Sequence, residues 1–87
     1  MSYRLTRSRD TLYVKFKHPR DIYLFIKDFT IDLDTEDSMK AFAGVLWGFG
    51  SLRKIFISVN GEELVFDIDD IGLAKLQRYL KKVLNHA

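Results

Sequence analysis

Lys54-Ile-Phe-Ile-Ser-Val-Asn-Gly-Glu-Glu-Leu-Val-Phe-Asp-Ile68 is the stretch on which the fold turns. Asn60-Gly61 sits between two runs in which apolar and polar residues alternate, and a two-residue hairpin turn favours that dipeptide because both central residues take φ > 0. The spacing predicts an antiparallel hairpin with Ile57 facing Leu64 and Ile55 facing Phe66. On its other side Phe56 faces Val65 and Lys54 faces Asp67. Both sides therefore carry apolar residues, as a hairpin does when it is covered on both faces or presents one of them for binding.

A second hairpin is expected over residues 3–17, where Tyr3 and Leu5, then Leu12, Val14 and Phe16, recur at the strand period. A turn at Arg9-Asp10 sets Leu5 opposite Val14 and Tyr3 opposite Phe16 on an apolar side. Thr6 then faces Tyr13, and Arg4 faces Lys15, on a basic side.

Helices are expected between and after the hairpins. Pro19 suits a first helical turn and Asp21 a helix N-terminus, and Ile22, Phe25, Ile26 and Phe29 follow with core-facing spacing. Residues 30–34, Thr-Ile-Asp-Leu-Asp, alternate and are read as a short strand. Asp34 and Asp37 introduce a second helix carrying Met39, Phe42, Ala43, Leu46 and Phe49, within which Gly44 and Gly48 each cost about 1 kcal/mol relative to Ala and admit a close backbone neighbour. Asp69 and Asp70 open a last helix whose apolar stripe is Leu73, Leu76, Leu80, Val83 and Leu84, ending among Lys81, Lys82 and His86. The expected fold is α+β: an antiparallel sheet from two β-hairpins in the order ββ-α-(β)-α-ββ-α, packed against two or three helices. The chain of 87 residues is long enough for one core and too short for two, so residues 1–87 are read as a single domain.

Composition narrows the function classes. There is no Cys, which removes disulfides and thiolate metal sites and makes a cytoplasmic location the expectation. No stretch has the length and apolarity of a signal peptide or a membrane span, so no membrane partner is expected. Net charge is +2 but unevenly spread: residues 1–20 sum to +5 and residues 21–40 to −4. Mutual attraction of the two segments accounts for this, as does an anionic partner.

Chemistry-bearing residues are few. Asp32, Asp34, Glu36 and Asp37 are spaced like a cation loop, but the calcium pattern needs Gly and Glu where Asp37 and Ala43 stand. A looser Mg²⁺ site would pool Asp32 or Asp34 with Asp67 or Asp69; helix capping explains the same acids, and neither metal nor cofactor is expected. The succession of a strand, His18 at a helix start, a middle helix, the strand Ile55-Phe56-Ile57-Ser58 and a closing helix resembles the layout of HPr-type phosphocarriers. That resemblance implies phosphate carriage at His18. The family places Arg-Pro one residue after its histidine, whereas His18-Pro19-Arg20 follows here, and the final hairpin is extra.

Two surfaces remain as binding candidates. Trp47 and Phe49 in the apolar run 41–50, with Phe56 and Val65, are the kind of aromatic and aliphatic anchors that dominate protein interfaces, whether with another protein or a second copy. Arg4, Tyr13, Lys15 and Lys17 on the first hairpin combine phosphate neutralisers with a stacking ring, the ingredients of a single-stranded nucleic-acid site. The primary expectation is a non-enzymatic, regulatory binding module acting through protein–protein contact. Nucleic-acid binding is the alternative, and a phosphocarrier or metal enzyme the distant third.

Overall fold

The computed structural model describes residues 3–85. Its elements are β1 (Tyr3–Ser8), β2 (Thr11–Phe16), a 3₁₀ turn (Pro19–Asp21) running into α1 (Ile22–Asp28), α2 (Glu36–Trp47), β3 (Lys54–Val59), β4 (Glu62–Asp67) and α3 (Asp70–Asn85). The α+β class and both hairpins are as expected, and the two expected registers hold pair for pair, Leu5 with Val14 and Ile57 with Leu64 among them. His86 lies outside the described residues.

The sheet is mixed rather than wholly antiparallel. Its order is β1-β2-β3-β4, and the two hairpins join through a parallel pairing of β2 with β3. The chain between these strands contains α1 and α2, and a helical crossover returns a chain to pair in parallel, whereas a tight turn pairs it antiparallel. The register is pinned at the first hairpin's turn, where the Asp10 carbonyl accepts from the N–H groups of Arg53 at 2.7 Å and Lys54 at 3.1 Å. Arg9 holds that turn with φ 56°, a left-handed conformation that costs a non-glycine residue about 1 kcal/mol. At the second turn Asn60 and Gly61 both have positive φ, as the dipeptide demands.

Residues 30–34 form no strand. Thr30 is left-handed at φ 54°, and the Ile31 N–H closes back on the Ile26 carbonyl at 2.9 Å. Gln77 of α3 donates its side-chain amide to the Leu33 and Thr35 carbonyls, so this segment's polar groups are satisfied by α1 and α3 instead of a ladder. The alternation of Ile31 and Leu33 is that of a loop dipping twice into the core, with Ile31 buried.

All the helices lie on one side of the sheet. Tyr3, Leu12, Val14, Phe16, Ile55, Ile57, Val59 and Phe66 face them and are buried. Phe25 is the hub of the core, with edge-on contacts to Tyr3, Phe16 and Phe42 at ring separations of 5.5 to 5.7 Å and a tilted contact to Phe29 at 4.8 Å. This aromatic cluster does for a chain without Cys what staples do for many small domains.

Gly72, not Gly44 or Gly48, is the glycine against which another element's backbone closes. A Cβ there would lie 1.9 Å from the Asp67 carbonyl oxygen, because α3 starts hard against the end of β4, with Asp69 capping it by accepting from the Gly72 N–H at 2.7 Å. At Gly44 an added Cβ would meet nothing within 4 Å, and at Gly48 the nearest atom is α2's own Val45 carbonyl.

Candidate functional site

With the helices on one side, the other side of the sheet has no covering layer. Strand periodicity sends Arg4, Thr6 and Ser8 of β1, Thr11, Tyr13 and Lys15 of β2, Lys54, Phe56 and Ser58 of β3, and Glu63, Val65 and Asp67 of β4 to this open face. The pairing registers order them into three rows running across the strands. Arg4, Lys15, Ser58 and Glu63 form one; Thr6, Tyr13, Phe56 and Val65 form the middle one; Ser8, Thr11, Lys54 and Asp67 form the third.

The middle row is the apolar strip of the face. Tyr13 and Phe56 are direct partners across the parallel pairing, their ring centroids 5.1 Å apart with the planes tilted by 46°. Tyr13 is 38% exposed and Val65 54%. Arg4, Thr6, Tyr13, Lys15, Phe56 and Glu63 are among the residues lining a shallow depression of about 270 Å³ over these rings.

Charge on the face is segregated. Arg4 and Lys15 stand directly opposite each other on β1 and β2, a like-charged cross-strand pair that weakens a hairpin. The acids Glu63 and Asp67 lie on β4, at the far edge. Among the described residues the ion pair formed is Lys81 with Asp34, at 3.5 Å and well away from this face.

The fold thus unites residues that sequence reasoning divided between two surfaces. Phe56 and Val65, expected in a protein interface, share the open face with Arg4, Tyr13 and Lys15, expected at a nucleic-acid site. Lys17 lies one residue beyond β2, exposed and outside the depression. Trp47, 60% exposed, and Phe49 belong to the end of α2 and the turn after it, in the helical layer. Ser58 and Glu63 complete the face and were missed; only the parallel β2–β3 pairing puts them in a row with Arg4 and Lys15.

The remaining candidates have local structural roles. The Asp32 carboxylate accepts from the Asp34 N–H at 2.9 Å, an Asx turn that shapes the loop before α2, and Asp34 pairs with Lys81. Asp69 caps α3. Among the described residues no three His, Asp or Glu side chains converge as a metal site. His18 is exposed, with extended backbone, and its N–H donates to the buried Asp21 carboxylate at 3.0 Å.

Two tyrosines carry shifted phenols. Burial, reinforced by the hydrogen bond the Tyr3 hydroxyl donates to Asp28, pushes Tyr3 up to about 12. Tyr79 is likewise pushed up to about 12 by burial and by its hydroxyl's 2.9 Å hydrogen bond to Glu62. Both lock the helical layer to other elements, and neither lies on the open face.

No helix of the described residues is long and apolar enough to cross a membrane. Comparison with protein-family models, with curated proteins and with solved structures finds no match to this chain.

Proposed function

We propose that this chain is a non-enzymatic binding module whose open sheet face makes protein–protein contact. The observation that supports it is the middle row: Tyr13, Phe56 and Val65 form a continuous apolar strip on an uncovered face, flanked by charges of both signs at opposite edges. Interfaces concentrate binding energy in a few central aromatic and aliphatic anchors inside a polar rim, and this face has that anatomy at small scale.

A second reading draws on one observation, the two cations beside a stacking ring. Arg4 and Lys15 next to Tyr13 would suit the backbone and bases of single-stranded nucleic acid. The balance of charge favours the protein-contact reading over it: the face carries three cations, Arg4, Lys15 and Lys54, against two acids, Glu63 and Asp67. A polyanion would meet an acidic far edge and gain little from counterion release. A protein surface with its own segregated charges fits both edges at once.

The test is a pull-down from native lysate, with and without nuclease, comparing the wild type with Phe56→Ser. The expected result is nuclease-resistant protein held by the wild type and lost by the variant. Retention that nuclease abolishes would move the function to nucleic acid, and retention indifferent to the substitution would remove the face from consideration.

A further inference from the structure

We propose that the open face is self-complementary and that the partner it fits is a second copy of this chain, seated face to face about a twofold axis running along the strands between β2 and β3. The inference deepens the protein-contact reading of the face and rests on it.

Symmetry supplies the first step. A rotation about an axis parallel to the strands leaves position along the strands unchanged, so each row of one copy must lie over the same row of the other. With the axis between the central strands, β1 lies over the partner's β4 and β2 over its β3. The middle row then sets Tyr13 against the second copy's Phe56 and Thr6 against its Val65, closing the apolar strip on itself. Arg4 lies over the second copy's Glu63. Lys15 stands one strand away, about 4.8 Å to the side, within reach of the same carboxylate. The like-charged pair that burdens the monomer's hairpin thereby gains its acid from the partner, twice per dimer.

Charge rejects the other twofold arrangement. An axis lying across the strands through the middle row would put β1 over β1 and β4 over β4, setting Glu63 over the second copy's Asp67 and leaving Arg4 over Ser8. Acids would face acids while the cations met only a hydroxyl. Two sheets packed with strands about 30° apart, the usual angle for twisted sheets, are compatible with the first arrangement when its axis tilts by half that amount.

Size sets the expected strength. Four strands of six residues make a face roughly 15–20 Å by 20 Å, so two copies bury on the order of 600–800 Å² in total, in the range of weak, transient contacts. The dimer is therefore weak and reversible, and added salt weakens it further.

Charge reversal tests the register. In one chain Arg4 and Glu63 occupy opposite edges of the sheet, three strand spacings apart, so they do not compensate each other internally. Sedimentation velocity is followed for Arg4→Glu, for Glu63→Arg, and for an equimolar mixture of the two, with circular dichroism confirming that each is folded. Each variant alone weakens association by roughly tenfold or more, because like charges are juxtaposed. The mixture restores it: Arg4 of one chain meets the native Glu63 of the other, and the introduced Glu at 4 meets the introduced Arg at 63. The double variant Arg4→Glu/Glu63→Arg restores it within one species and serves if either single variant fails to fold. A wild type that stays monomeric at high concentration, or a dimer insensitive to both reversals, or a mixture no tighter than its components, overturns the inference. The pull-down with Phe56→Ser stands separately, so a monomeric chain that still holds another protein through this face would refute the second copy alone.

Discussion

Tyr13 and Phe56 lie side by side on the two central strands, ring centroids 5.1 Å apart, brought together by the parallel pairing of β2 with β3. Such a pair contributes about 0.5–1.5 kcal/mol to the fold, a modest share of a small domain's stability. Burial lost with this half-buried ring adds to the pair term, so Phe56→Ser is expected to lower stability by about 2–3 kcal/mol, leave the chain folded, and abolish concentration-dependent sedimentation. Denaturant unfolding beside sedimentation separates the two effects. A variant that self-associates like the wild type would mean the Phe56 ring has no use in contact.

The opposed Arg4 and Lys15 set stability against binding. Replacing Lys15 by Thr removes the repulsion and introduces a β-branched residue, and is expected to raise the stability of the monomer by about 0.5 kcal/mol. The same change removes a cation from the contact, so the thermal midpoint at low concentration rises while self-association weakens. Movement of both in the same direction would contradict this trade.

Two glycines give opposite outcomes for one substitution. Gly44→Ala fills open space on an exposed helix face and is expected to stabilise by about 1 kcal/mol. Gly72→Ala drives a Cβ into the Asp67 carbonyl at the junction of β4 and α3, and is expected to cost roughly 3 kcal/mol or more, since backbone on both sides has to move. Urea midpoints of the two variants check the pair. Equal shifts would refute the junction's geometry.

Those glycines mark the limit of what was legible. Local rules carried far: Asn60-Gly61 fixed one hairpin's register, alternation fixed the other's, and the stripes of Phe25, Phe42 and Leu76 fell inward as their spacing required. What escaped was set between elements. Alternation reports which side of a strand a residue occupies and is silent on which strand lies beside it, so the parallel junction stayed hidden, and with it the row that joins Tyr13 to Phe56. The long helical connection between the hairpins was the available signal. Closeness at Gly72 depends on where β4 ends against α3, which no local pattern encodes. Thr30 to Asp34 alternate as a strand does, yet Gln77, far along the chain, claims the carbonyl of Leu33 and that of Thr35 just after it.

Alkaline stability follows from Tyr3 and Tyr79. Their phenols are pushed from 10.0 up to about 12 in the fold, chiefly by burial and also by Asp28 and Glu62 respectively. Folding holds them protonated, so their contribution is whole below pH 10 and is lost as the pH rises through about 12. Tyr3→Phe is expected to flatten the fall in stability across that interval, while removing a hydrogen bond to a carboxylate worth about 1–2 kcal/mol at neutral pH. Urea unfolding on either side of the window, with tyrosinate absorbance as a second probe, checks it. An unchanged slope in Tyr3→Phe would refute the upward shift of the Tyr3 phenol.

Backbone amide spectra followed on dilution from about millimolar to about micromolar protein probe the open face most directly, with the Trp47 indole as an internal control. Self-association through this face predicts concentration-dependent shifts at Arg4, Thr6, Tyr13, Lys15, Phe56, Ser58, Glu63 and Val65, and a still indole. Shifts that gather at Trp47 and Phe49, or spectra that do not change at all, would contradict it.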